Sequence, residues 1–576
     1  MNLNGLEFTF SGENCPEVSM SVLESADNLN TYKIIFDWKA KTEPRPVKLV
    51  FYHRCCDMYT HMKPDLYRMH NVPWGSAKEF EARLAKWMPI EQFVSKAEKN
   101  KLTIALSDVK THLRMKSFVE LPGFLLKSEI DFFVSPTSPI AQYETLLRID
   151  TRDVEYFKAL TDAARWYTSL GYKNEHVPEA AYGAVYSTWY AYLQDITAKD
   201  VLKECRMAKK AGMDTVIVDD GWQNEGLVRD YAGCGDWKPA KNRFPNVKKF
   251  ADAVHSLGMK VMFWFSVPFV GYESENFERF DGKFLYQLDH IRAAVLDPRY
   301  KEVRDFLVGI YVRAVRDWGL DGLKLDFIDR FAFNGIVTPE MDYPSVEDAT
   351  EALLSEIQAA LRSVNPEVLI EFRQPYMGPV ISAYGNMMRV WDCPMDPLVN
   401  RVAITELRML TNGCAVHSDM IVWDNDDTSE SVATHLYSAI FSVPQISVRM
   451  AEISPEHRKV LKAFLAFRNA HKDTLMKGSF VARGIHANYS RTEAVRGCER
   501  ISLFNDTAVV QLQTAITNDY VINLTGADAI FLSGDTENVK YEIFDCAGNR
   551  ICRVKKLKKT NTVLKVPHAG MVHFIR

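Results

Sequence analysis

The sequence predicts a multidomain α/β protein: a central (β/α)8 TIM barrel flanked by an N-terminal β-sandwich and a small C-terminal antiparallel β-sandwich. Three observations predict it. Between residues 180 and 450, strand-like runs alternate with helical ones through eight units. Nearly every one of those strands ends in polar or aromatic residues, where such barrels keep their active sites. Outside this region the runs are short and alternating, punctuated by Gly, Pro, Asn and Asp. At 576 residues the chain exceeds one ordinary core. The expected division is 1–150 for the N-terminal sandwich, 151–178 for a connecting helix, 179–475 for the barrel and 476–576 for the C-terminal sandwich.

In the first part, Leu6–Phe10, Tyr32–Trp38, Lys48–His53, Leu102–Leu106 and Ser128–Val134 read as strands, and Ala77–Trp87 as a helical piece. His53, Cys55, Cys56 and His61 lack the paired spacing of a zinc site, so no metal is expected there. Glu155–Leu170 has apolar residues at helical spacing and reads as the connecting helix.

The barrel strands are read as Tyr182–Trp189, Thr215–Asp219, Lys260–Phe265, Leu323–Ile328, Val368–Phe372, Met387–Trp391, Cys414–His417 and Ile446–Arg449. Helices are read over Ala198–Ala211, Val303–Trp318, Val346–Val364, Ser429–Phe441 and Pro455–His471. Seven short strands follow, from Ile501–Phe504 to Met571–Ile575, with a hairpin turn at 545–549. The run VKKLKKT near Lys555 reads as a solvated edge.

Composition excludes several classes. A net charge of -4 and a pI near 6.4 offer no general attraction to nucleic acid or anionic membrane. No run is long enough to span a bilayer, and the first residues show no basic and apolar leader pattern. The ten Cys form no repeating framework, so reduced thiols and a cytoplasmic protein are expected. Nucleotide-binding glycine loops, HExxH and GxSxG are absent.

The chemistry gathers at the strand ends. Lys324 and Asp326 interrupt an apolar strand two residues apart, so they share a face. They read either as a structural ion pair or as catalytic groups, and the strand-end position favours catalysis. Asp219 and Asp220 precede Gly221–Trp222; Trp264 ends strand three; Arg389 and Asp392 end strand six. Carboxylates accept hydroxyl hydrogens, and indoles cover the apolar face of a pyranose. Two carboxyls about 5–5.5 Å apart would serve a retaining glycosidase.

With these residues in place, the barrel resembles glycoside hydrolase family 36, the α-galactosidase family of clan D. The matching stretches are DTVIVDDGW from Asp214, GDWKPAKNRFPNVKKFADAVHSLGMKVMFWF from Gly235, LDPRYKEVRDFL from Leu296 and the DGLKLDF motif, together covering roughly residues 180–450. The resemblance implies Asp326 as the nucleophile and Asp392, in MRVWDCP, as the acid/base. It implies Asp219, Asp220, Trp222, Trp264, Lys324, Arg389 and Trp189 as sugar-site residues, with no metal or organic cofactor. Its implied partner is a small oligosaccharide or glycoside, and a homo-oligomer is left open.

Three departures bear on specificity. Phe265-Ser-Val-Pro268 replaces a Glu-Pro-Glu type sequence. Glu371-Phe-Arg-Gln-Pro375 replaces the family's Cys-Ser-Gly-Gly-Gly. Trp391, not Ser, precedes Asp392. The N-terminal sandwich is also shorter than in many members. Arg373 is expected either to pair with Glu371 or to read a sugar substituent. Asp396 and Asp329 are the rivals of Asp392, and His417, Ser418 and Asp419 are expected to face the pocket. The function expected is a retaining exo-α-glycosidase of α-galactosidase type. Its alternatives are an α-N-acetylgalactosaminidase or another α-glycosidase, and a catalytically silent glycan-binding protein. A phosphosugar isomerase or aldolase is disfavoured, because HSDMIVWDNDD after strand seven is acidic.

Overall fold

The computed structural model describes residues 1–64, 71–172, 176–223, 225–226, 230–411, 413–534, 536–557 and 562–576. Eight parallel strands close into a barrel: Val185–Ser187, Thr215–Val218, Lys260–Ser266, Gly322–Asp326, Leu369–Arg373, Met387–Arg389, Ala415–Ile421 and Val443–Ile446. The first and the eighth pair through Val185 with Gln445 and Tyr186 with Ile446. Fully buried side chains along these strands are the pattern of a sheet covered on both faces.

The helix Ala198–Ala211 shows how the outer layer forms. Val201, Cys205, Ala208 and Ala211 recur at helical spacing and are buried, while Thr197 caps the N-terminus by accepting the Asp200 N–H. Gly212 then ends the helix in the left-handed region at φ 108°. Close strand approach explains Gly322: a Cβ there would lie 2.3 Å from the Leu369 carbonyl oxygen.

Several boundaries differ from the sequence reading. The first strand is only Val185–Ser187, because Glu179–Tyr182 forms a 3-10 turn and Trp189 opens a short helix. The eighth strand lies three residues earlier than expected. Its Pro444 cannot donate a ladder hydrogen bond, which argues against a central strand in sequence. Here the register jumps from His417–Val443 to Met420–Gln445, so the proline faces a bulge at Ser418–Asp419. The seventh strand accordingly runs on to Ile421, beyond the expected His417.

Two six-stranded antiparallel sheets form the N-terminal sandwich. One runs from Asn2–Leu3 to Phe80–Ala82 and the other from Glu17–Ala26 to Thr60–Met62. Phe8, Phe36, Phe51 and Phe132 meet between them. The expected helix at Ala77–Trp87 is absent. Phe80 and Ala82 point inward with Glu81 between them, so period-two burial decides for a strand. The connecting helix Tyr156–Ser169 buries Tyr156, Leu160, Ala163 and Tyr167, and Tyr156 donates to the Ala482 carbonyl at 2.6 Å. One element thus joins the N-terminal sheet to the C-terminal one.

The C-terminal sandwich pairs a seven-stranded with a three-stranded sheet. It is mixed rather than wholly antiparallel: Glu499–Phe504 runs parallel to Asn518–Asn523, and Val509–Leu512 parallel to Ile530–Gly534. The chain leaves one sheet for a strand in the other and returns in its original direction, which makes the flanking strands parallel. The hairpin turn at 545–549 is present, with Asp545 accepting the Ala547 and Asn549 N–H groups. Arg550–Lys556 is an exposed edge strand; residues 558–560 of the basic run lie outside the described residues.

Among the described residues, no disulfide is formed. Among the described residues no helix is long and apolar enough to cross a membrane. No group of three or more His, Cys, Asp or Glu among them could hold a metal ion.

Candidate active site

The fourth strand ends on Asp326, and the next residue turns the chain. Phe327 occupies the left-handed region at φ 66°, an unfavourable conformation for an aromatic residue. Its ring is held against Phe269 at 4.9 Å and Tyr231 at 5.3 Å. The reversed backbone aims the Phe327 N–H back at Asp326 Oδ1, 2.8 Å away.

Four donors converge on that carboxylate. Oδ1 accepts from the Phe327 N–H, from Arg373 Nε at 2.8 Å and from the Tyr376 hydroxyl at 2.8 Å. Among the described residues, Oδ2 accepts only from Trp264 Nε1, at 3.0 Å. Oδ1 is therefore saturated, and Oδ2 keeps a free lone-pair direction. Burial by itself would raise this carboxyl. The charges of Arg373, Lys324 and Arg389 and the Trp264 N–H outweigh it and hold Asp326 well below the usual carboxylate range.

Lys324 faces the same interior but takes a different partner, Asp219 Oδ2 at 2.6 Å. Asp219 also accepts the Asp220 N–H and donates its own N–H to the Thr188 hydroxyl. The turn is tight because Gly221 sits at φ 114°, where a Cβ would fall 2.5 Å from the Gln194 carbonyl oxygen. Asp220 accepts from Gln194 Nε2 at 2.7 Å and Gln223 Nε2 at 2.6 Å. Burial pushes the Asp220 carboxyl up to about 6, although both amides oppose the shift. Trp189, Leu193, Gln194, Asp220, Asp230 and Tyr231 line a cavity of about 380 Å³.

Arg389 ends the sixth strand and is wholly buried among carboxylates. Its Nη2 donates to Asp392 Oδ1 at 2.9 Å, its Nη1 to Asp419, and its Nε lies 3.6 Å from Glu371 Oε1. Asp392 is half-exposed, at 51% of its side chain, and so faces open space on its other side. Burial raises the Asp392 carboxyl, but Arg389, Arg373 and Lys324 prevail and hold it low, against the charge of Asp326. One set of cations thus acts on both carboxylates.

The structure brings Asp219, Asp220, Trp264, Lys324, Asp326, Arg373, Arg389 and Asp392 to one rim, and Trp189 to its cavity. It moves others away. Trp222 is fully buried, donates to the Trp264 carbonyl at 3.0 Å, and packs on Trp237, Phe263, Phe265 and Trp318. It is a core residue, because the turn at Gly221 rotates the side chain outward from the mouth. Trp264 presents its edge to Asp326, and Tyr231 covers its face at 6.2 Å. Arg373 pairs with Asp326, not with Glu371. His417, Ser418 and Asp419 lie in the barrel interior. His417 bonds the Ala181 carbonyl, Ser418 accepts the Gln445 N–H, and Asp419 accepts from Arg389, Tyr190 and the Cys393 N–H. Asp396 caps the helix Pro397–Leu410.

Tyr376, Tyr231, Gln194 and Gln223 were not expected at the site. Tyr376 stands one residue beyond the altered Glu371–Pro375 segment, so extending that segment by one position would have found it. Nothing in the sequence distinguishes the other three from ordinary loop residues.

Arg83, from the N-terminal sandwich, completes the surroundings. It donates to the Phe331 carbonyl at 2.5 Å and to the Asp329 carbonyl at 2.7 Å. The Trp87 N–H donates to the Pro375 carbonyl at 2.8 Å.

The chain is 31% identical over 148 residues to the α-galactosidase Mel36A of Lactobacillus acidophilus, covering 25% of this chain and 19% of that protein. It is 24% identical over 224 residues to the A type blood α-D-galactosamine galactosaminidase of Flavonifractor plautii, covering 34% of this chain and 20% of that protein. These matches span about a fifth of the length of each relative. The fold is that of the GH36 α-galactosidase AgaA of Geobacillus stearothermophilus, with a TM-score of 0.62 over 99% of this chain and 87% of that one at 14% identity. A variant of AgaA in complex with raffinose aligns with a TM-score of 0.64 at 13% identity, over 99% of this chain and 86% of that one. The family model described as Melibiase matches residues 162–478, more than half of the chain, from the connecting helix through the barrel. By that match, this protein belongs to the melibiase family.

Proposed function

We propose that this protein is a retaining α-glycosidase that removes a terminal α-galactoside. The observation carrying the reading is Asp326, a carboxylate held ionised at a barrel strand end with one lone pair free on Oδ2. In the first step Oδ2 bonds to the anomeric carbon while the bond to the glycosidic oxygen breaks. Asp392, in its protonated form, gives its proton to the departing oxygen. In the second step Asp392 takes a proton from water. The water oxygen bonds to the anomeric carbon, and Asp326 leaves as a carboxylate. Conversion of Asp326 to a neutral ester removes the charge that raises Asp392, which suits it to act first as acid and then as base. Lys324, Asp219 and Asp220 are assigned to the sugar hydroxyls. The chemistry asks nothing of a metal or organic cofactor.

A second reading keeps the chemistry and changes the sugar to a 2-amino or 2-acetamido galactoside. Among the described residues, Gln194 Oε1 is buried without a hydrogen-bond partner, while its amide nitrogen is engaged by Asp220. An N–H on the substrate would satisfy it, and one relative is named for a galactosamine substrate. Turnover of para-nitrophenyl α-galactoside and its α-N-acetylgalactosaminide and α-galactosaminide, beside Asp326→Ala, separates the readings. Nitrophenol release lost in the variant supports the glycosidase and identifies the sugar. Binding without release across the panel would make the protein a silent glycan binder instead.

A further inference from the structure

The described ion-pair partner of Arg373 is Asp326, and its guanidinium is enclosed. The Arg373 side chain is 12% exposed and lies between the rings of Phe327 at 5.2 Å and Tyr376 at 5.3 Å. Its Nη1 is committed to the Gln374 carbonyl at 2.8 Å. The cation is therefore fixed in place, and Asp326 is the strongest of the negative charges that stabilise it, ahead of Asp392 and Asp329.

Glycosyl transfer to Asp326 removes that charge. The ester forms through Oδ2, the oxygen with a free lone pair. Oδ1 then becomes the ester carbonyl, still facing Arg373, Tyr376 and the Phe327 N–H. A buried cation left beside a neutral ester is strongly unfavourable. Departure of the carboxylate restores the pair, and three donors on the carbonyl oxygen promote that departure.

We propose that Arg373 divides the two half-reactions unequally: it slows formation of the glycosyl-Asp326 ester and speeds its hydrolysis, so that the ester does not accumulate. The proposal rests on the glycosidase reading above. Bond making and breaking are those already described; Arg373 exchanges no proton and acts only through its charge. The low position of the Asp326 carboxyl, set by Arg373 ahead of the other cations, is consistent with it.

The test compares wild type with Arg373→Met, which keeps the volume and loses the charge, and with Arg373→Lys, which retains it. On aryl α-galactosides of graded leaving-group acidity, wild type is expected to show no burst and a rate that falls as the leaving group worsens. Arg373→Met is expected to release a burst near one nitrophenol per active site. Its steady-state rate should then be insensitive to the leaving group, with KM lowered about tenfold or more as ester accumulates. Arg373→Lys is expected to remain free of a burst. A burst in wild type, or none in Arg373→Met with KM unchanged, overturns the proposal.

A second measurement does not need turnover: carbodiimide labelling of Asp326 against pH, read by peptide mapping. The labelling midpoint is expected to rise by at least one pH unit in Arg373→Met, and an unmoved midpoint overturns the electrostatic basis. If no aryl glycoside is turned over by any of the three proteins while the midpoint still moves, the glycosidase reading fails and the kinetic proposal falls with it. If turnover is normal and the midpoint is fixed, only the proposal for Arg373 fails.

Discussion

Arg83 Nη2 lies 2.7 Å from the Asp329 carbonyl oxygen, so a side chain of the N-terminal sandwich holds the loop that begins three residues earlier at Asp326. The same guanidinium binds the Phe331 carbonyl. Together these bonds fix the turn whose first residue, Phe327, donates its N–H to the carboxylate.

Arg83→Ala is therefore expected to lower kcat by about 10- to 100-fold, since small misplacements of reacting groups carry costs of that order. KM should change far less, because Arg83 touches loop carbonyls rather than the sugar cavity. Steady-state kinetics together with a circular-dichroism melt check this. A loss of activity that only follows a loss of folded protein would assign Arg83 a purely structural role.

Asp326→Gly is expected to lower turnover by a factor on the order of 10⁴ or more, as removal of a nucleophile does elsewhere. Azide entering the vacated space should restore activity on an activated aryl α-galactoside and yield the β-glycosyl azide. Product configuration by proton NMR decides. An α-azide would place the attacking carboxylate on the other face and transfer the nucleophile role away from Asp326.

The pH profile tests the acid. The usual aspartate value is about 3.9. Asp392 is held below it, so the protonated form needed for the first step is lost early as pH rises. Asp326 is held well below the usual carboxylate range and stays ionised in acidic solution. The kcat/KM profile should therefore fall with rising pH from an acidic maximum. A basic limb near pH 6 would instead point to Asp220, whose carboxyl is pushed up to about 6. Asp392→Asn and Asp220→Asn distinguish the two, because only the variant lacking the true acid should flatten that limb.

Trp222→Ala is expected to destabilise the protein by about 3–5 kcal/mol, the usual cost of removing a large buried aromatic side chain. Urea unfolding measures it. Trp222→Phe, which fills most of the space, should bind galactose as wild type does. A galactose affinity weakened tenfold in Trp222→Phe would return this indole to the sugar site.

Acid should destabilise the fold through its buried imidazoles. Burial pushes His53 down to about 4 and His417 down to about 3, against an unfolded value near 6.5. Each is neutral when folded, and His53 Nε2 has no hydrogen-bond partner among the described residues to share a proton. For a group depressed by folding, the contribution is full above about pH 6.5 and is lost as pH falls toward the folded value. Calorimetry should show Tm falling between pH 6.5 and 4.5, and His53→Leu should reduce that slope. Asp419 and Asp220, each pushed up to about 6, work in the opposite sense over about pH 4 to 6 and offset part of the loss.

Much of this architecture was legible in the sequence because it rests on local periodicity. The helices Ala198–Ala211 and Val346–Val364 fall where apolar spacing and capping residues place them. The strand ending at Asp326 announces itself by two charges in an apolar run. Charges of that kind require partners, and the partners come from elsewhere in the chain. Lys324 finds Asp219, 105 residues away, and Asp326 finds Arg373, 47 residues away. Pro444 could be read as strand only once the bulge at Ser418–Asp419 lay opposite it. Trp222 and Trp264 look alike in sequence, yet one turn sends the first into the core and leaves the second bonded to the carboxylate.

The sequence by itself determined the barrel, its two flanking sandwiches and the rim on which the charged residues gather, since hydrophobic period and strand-end polarity are properties of neighbouring residues. Only the tertiary structure decided which cation holds which carboxylate, which oxygen of Asp326 stays free, and that Arg83 of another layer secures the loop. Those outcomes depend on through-space distance between residues far apart in the chain, and no local pattern encodes that distance.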